Sequence, residues 1–158
     1  MAVGEYIPYA RDFFRLAYPA GWTVRENRPV GMTHFAPRGA DVDPYPSGIA
    51  LITLPETGMA LEPLIRTGLF LITRDLSAPS IERTGEQREG GLEWSRILVR
   101  GRAMAANRVS APLDVTKHVA LARPGPGVLV LELYGPAASV GTLEETFESV
   151  RRSVETVR

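Results

Sequence analysis

The run Phe13-Phe14-Arg15-Leu16-Ala17-Tyr18-Pro19-Ala20-Gly21-Trp22-Thr23-Val24 decides the class of this chain. Phe14, Leu16 and Tyr18 alternate with Phe13, Arg15 and Ala17, the period of two that lays one face of a strand on a core. Pro19 starts a tight turn and Gly21 can take a positive φ, so a second strand begins at Trp22 and the two are expected to fold back antiparallel.

Outward from that hairpin the same period recurs. Met32 to Ala36 reads as a short strand, followed by a turn-rich loop from Pro37 to Ser47 holding three prolines, Asp41 and Asp43. Gly48 to Leu54 is apolar on both faces, as an interior strand should be. From Leu61 to Leu76 the period becomes helical: Leu61, Leu64, Ile65, Gly68, Leu69, Ile72 and Leu76 share a face, and Glu62 and Arg66 are spaced to pair. Pro63 falls in the first turn, and Gly68 weakens the middle, so packing must hold this helix.

Three more strands are expected near Ile81 to Gln87, Leu92 to Gly101 and Leu113 to Arg123, and a fourth, the most hydrophobic, from Val128 to Tyr134. A closing helix follows. Thr142 and Glu145 have capping-box spacing, and Leu143, Phe147, Val150 and Val154 form its apolar stripe. Short turns between the later strands require antiparallel neighbours, and strands apolar on both faces require cover on both sides. The expected fold is an α+β sandwich, one antiparallel sheet of six or seven strands flanked by helices, with residues 1–158 forming a single domain.

Composition narrows function mostly by exclusion. Eighteen basic residues balance eighteen acidic ones, so no global field favours nucleic acid or a membrane. The basic residues are seventeen arginines and one lysine, Lys117, a bias typical of GC-rich bacterial genomes. The absence of cysteine removes disulfides, thiolate metal sites and cysteine nucleophiles. Met1 to Arg11 lacks the pattern of a signal peptide and no window suits a membrane span, so the expected location is cytoplasmic; an exported protein with its leader removed is the alternative.

The Phe-rich strand, the turn Tyr18-Pro19-Ala20-Gly21-Trp22, the early helix, the strand meander and the terminal Phe147-x-x-Val150-x-x-Ser153-Val154 together resemble the PsbP-like superfamily over Asp12 to Val157. Its relatives include the PsbP subunit of photosystem II, DcrB-type bacterial proteins and a Ran-binding nuclear import factor of fungi. The resemblance implies a central antiparallel sheet with helices on both faces, and a non-enzymatic module that docks onto a larger protein or assembly. It brings no catalytic residues with it. The lipidated cysteine that many bacterial relatives carry is absent here.

Candidate chemistry is sparse. His118 shares a strand face with Asp114 and Thr116, and a hydrolase would use it as base toward Ser95 or Ser110. Residues i and i+4 of one strand stand about 13 Å apart, too far for an Asp114–His118 hydrogen bond, and no Gly-x-Ser-x-Gly elbow exists. His34 with Asp41 and Asp43 is an oxygen-rich set, but it lacks the calcium-loop pattern, and no metal or other cofactor is assigned. Trp94 to Leu113 is the longest acid-free run; Arg96, Arg100 and Arg102 lie in it, with Trp94 for stacking and Arg108 beyond. The expectation is a non-catalytic module recognising a protein partner through Asp41, Asp43, Trp94, Arg96, Arg100 and Arg102. No nucleic acid is expected, and homodimerisation through a sheet edge stays open. The alternative is a small-molecule carrier or sensor with an apolar pocket under the first helix. Any functional pocket is expected between the first hairpin and the Pro37 to Ser47 loop.

Overall fold

A computed structural model describes residues 4–27, 31–39, 46–54, 61–103 and 112–157. Asp41, Asp43, Arg108 and Ser110 lie outside the described residues. The strands are β1 (Tyr6–Arg11), β2 (Phe14–Pro19), β3 (Thr23–Asn27), β4 (Met32–Ala36), β5 (Gly48–Leu54), β6 (Ser77–Glu89), β7 (Leu92–Ala103), β8 (Leu113–Ala122), β9 (Val128–Pro136) and β10 (Glu155–Thr156). The helices are α1 (Leu61–Thr73) and α2 (Glu144–Arg152).

Seven strands form one antiparallel sheet in the order β3-β4-β5-β9-β8-β7-β6, which is the expected central sheet. Period-two alternation splits its side chains between two cores. Val128 and Val130 of β9, with Ile97, Val99, Val119 and Leu121, face α1 through Ile65 and Ile72. Leu129, Leu131 and Leu133 turn the other way, onto Phe147 and Val150 of α2 and Phe14 and Leu16 of β2. The central strand β9 is buried from Val128 to Gly135, so it reads as apolar on both faces.

The expected first hairpin is not formed. The turn itself is present: Trp22 N–H donates to the Pro19 carbonyl at 3.3 Å, and Gly21 has φ of 85°. The strands on either side go to different sheets, however. β2 pairs with β1 and β10 in a separate three-stranded sheet that shares the α2 side, while β3 pairs with β4. The turn therefore carries the chain from one sheet to the other.

Three smaller expectations also change. α1 stops at Thr73, before Leu76. Glu62 takes a two-pronged hydrogen bond from Arg83 of β6, at 2.9 and 2.7 Å, instead of pairing with Arg66. No capping box forms, because Thr142 sits in a 3-10 turn (Val140–Leu143) and donates to the Ser139 carbonyl; the residue preceding α2 is Leu143.

Candidate functional site

The deepest concentration of chemistry lies where α1 ends and leaves part of the sheet uncovered. Lys117 of β8 has the strand parity of Val115 and Val119, so its side chain turns toward α1, and it is only 4% exposed. Its ammonium donates to the Ile72 carbonyl at 2.7 Å and to Asp75 Oδ1 at 2.9 Å, and lies 3.1 Å from Glu132 Oε1. Three acceptors around a tetrahedral donor suit an ammonium and would not suit a planar guanidinium. The Ile72 carbonyl belongs to the last turn of α1, which has no partner within the helix, and a cation there also complements the helix dipole. Lys117 thus caps α1 from the sheet below.

Glu132 shares the parity of Val128 and Val130, so β9 carries one carboxylate into an otherwise apolar face. Burial pushes its pKa up, and Lys117 opposes that without cancelling it. Beside this pair, His34 of β4 places Nδ1 3.2 Å from the Tyr134 hydroxyl, the two rings meeting edge to face. Burial first, then the charges of Arg25 and Lys117, hold the His34 pKa below its usual value. These groups, with Met32, Pro46, Leu71, Arg74 and Asp75, line a cleft of about 290 Å³. Arg25 comes from the strand after the Pro19–Gly21 turn and Pro46 from the proline-rich loop.

The cleft is mixed in character, with Met32, Pro46 and Leu71 beside its charged groups. Seven of its ten lining residues are ionisable, and beneath the middle of α1 the Gly68 backbone packs over Val130, Leu54 and Leu121. Among the described residues, no cluster of three histidine or acidic side chains is placed to hold a metal.

No protein-family model matches the sequence, and no curated protein does. Solved structures do. Cyanobacterial PsbP (CyanoP) from Synechocystis sp. PCC 6803 superposes with a TM-score of 0.63 at 12% identity, over 99% of this chain and 95% of that one. This chain shares the fold of that protein. The Ran-binding protein Mog1p of Saccharomyces cerevisiae matches at a TM-score of 0.60 and 14% identity, over 98% and 96% of the two chains. LpqN of Mycobacterium tuberculosis, involved in cell envelope biogenesis, matches at 0.52 and 11%, over 98% and 91%. At these identities the likeness is one of fold, which transfers neither an activity nor a partner.

The described part of the acid-free arginine run, up to Ala103, lies along β7, its arginines on the α2 side. Trp94 is 1% exposed and carries Arg151 over its ring at 5.4 Å, so it presents no face to a partner. Arg96 bonds Glu148 of α2 and lies near the Phe147 ring. Arg151, fully buried, donates to Glu148 at 2.8 Å and to Glu89 at 3.2 Å. Trp94 and Arg96 therefore belong to the packing of α2 on the sheet. Arg100 and Arg102 stay exposed and line a groove with Ser80 and Thr116, Arg102 standing 3.5 Å from Asp114.

His118 faces the same side and meets Glu144 at 3.1 Å, while Asp114 faces Arg102. Burial lowers the His118 pKa and Glu144 only partly restores it.

Lys117 and Glu132 were not picked out from the sequence. Two signals were available: the chain's single lysine, and a lone carboxylate inside its most hydrophobic strand, which requires a buried counter-charge.

Proposed function

We propose that the protein is a non-catalytic docking module that binds another protein through the outer face of α1. The observation that carries this reading is Phe70, which is 69% exposed, the most exposed of the large hydrophobic side chains among the described residues. Arg66 stands one turn before it, and Arg74 follows one turn later, just past the helix end; both are exposed. An exposed aromatic side chain between arginines has the composition of an interface hot spot. The two positive flanks favour a partner with an acidic rim around an apolar pocket. The fold kinship with a Ran-binding protein adds support by analogy alone.

A second patch, Arg100 and Arg102 on β7, competes for the same role. Capture from a lysate of the source organism separates the two, using wild type, Phe70→Ala, Arg66→Glu/Arg74→Glu and Arg100→Glu/Arg102→Glu. Phe70→Ala should leave the melting curve within about 0.5 kcal/mol of wild type, because the ring is exposed. It should weaken a stoichiometric partner by about thirtyfold. Loss of the partner only in the Arg100→Glu/Arg102→Glu protein would move the docking surface to β7 and overturn the α1 assignment.

A further inference from the structure

We propose that the cleft at the end of α1 is a binding site for a small carboxylate-bearing molecule with a short apolar body. Arg25 of β3 and Arg74 beyond α1 bring two guanidinium groups to one cleft from different elements. Neither makes an ion pair with another described residue. Guanidinium groups take carboxylates through paired, charge-assisted hydrogen bonds.

Charge selects a monoanion. Among the described lining residues, Arg25, Arg74 and Lys117 stand against Asp75 and Glu132, leaving one positive charge when all are ionised. The Lys117 ammonium already spends its three donors on Ile72, Asp75 and Glu132, so it holds the floor and leaves the arginines to meet the ligand. A phosphate dianion would face Glu132 and Asp75 with insufficient compensation. Met32, Leu71 and Pro46 supply the apolar wall, and about 290 Å³ suits a ligand of a few carbon atoms.

His34 reports occupancy. The groups around it are Arg25 on β3, Lys117 on β8, Glu132 and Tyr134 on β9, and Arg74 and Asp75 after α1. A bound carboxylate offsets the positive charges of Arg25 and Lys117 that disfavour the imidazolium, so binding raises the His34 pKa and tightens as pH falls.

The proposal shares only Arg74 with the docking face, Arg25 belonging to the cleft alone, and is tested by NMR of the His34 imidazole, assigned with His118→Gln. The probes are hexanoate, uncharged hexanamide and inorganic phosphate. Hexanoate should shift the His34 signals saturably and raise its pKa, and Arg25→Gln and Arg74→Gln should each weaken that binding by about tenfold. The assignment is overturned if hexanoate leaves His34 unmoved, or if hexanamide moves it equally. Phosphate binding more tightly than hexanoate would also overturn it.

Discussion

Replacing Lys117 by methionine keeps most of the side-chain stem and removes the ammonium. The change deletes the contacts to Ile72, Asp75 and Glu132. Asp75 remains 45% exposed at its side chain and is hydrated by solvent, whereas Glu132 is 4% exposed and loses its counter-charge. Breaking a buried ion pair in this way costs about 3 kcal/mol. For a chain of this length that is a fall of about 6–12 °C in melting temperature.

The pH dependence carries the sharper test. Glu132 already binds its proton more tightly in the folded than in the unfolded state, and loss of Lys117 strengthens that. A carboxyl with a raised folded pKa favours folding below its unfolded value, and that advantage is lost as pH rises through the folded value. The deficit of Lys117→Met should therefore be smaller near about pH 5 than at neutrality, because it grows as pH rises above the unfolded carboxyl value. Adding Glu132→Gln removes the stranded charge and should restore most of the stability. Denaturant titrations of both single variants and the double variant at the two pH values measure all of this. A Lys117→Met deficit under about 1 kcal/mol at neutral pH, or single-variant losses that simply add in the double, would refute the buried-pair account.

Two further changes probe the scaffold. Burial pushes the Glu148 pKa up, but hydrogen bonds from Arg96 and Arg151 outweigh it and hold the group below the usual carboxylate range. Glu148→Gln should then cost about 2 kcal/mol at neutral pH. That cost should vanish as acid protonates the wild-type residue through its lowered pKa, which chemical denaturation across the acid range will follow. Gly68→Ala places a Cβ 3.5 Å from Val130 Cγ2, an ordinary contact, and should raise stability by up to about 1 kcal/mol through helix propensity, read as an upward shift in the melting curve.

Local pattern was enough to locate most elements. Met32–Ala36 and Gly48–Leu54 could be read to the residue because alternation and bounding turns are written within each segment. The apolar stripe of α2 was visible for the same reason, and Phe147 and Val150 are indeed buried. Pairing was not local. Pro19 and Gly21 specify a turn, but which strands it joins depends on β1, whose Tyr6–Arg11 segment contains Pro8 and shows no clean alternation, and on β10, far along the chain. The arginine run was visible as composition, but Glu148, Glu89 and Arg151, which bury Trp94 and engage Arg96, arrive from other elements. The cleft was hidden most completely: Lys117 on a strand reads as a solvated charge until Asp75 and Glu132 are folded around it.

The pairing of β10 with β2 sets a temporal order on assembly. Phe14 and Leu16 enter the core near the start of the chain, yet the strand that closes their sheet, at Arg15↔Glu155 and Phe14↔Thr156, comes near its end. Phe147 and Val150, which share that core, come almost as late. Within the seven-stranded sheet, β3-β4-β5 and β6-β7-β8-β9 join strands that follow one another in sequence, whereas the β5–β9 pairing and the cover of the α2 side both bring together distant segments. Until α2 and β10 are in place, that face of the sheet stands half-built and its apolar side chains need protection from other chains.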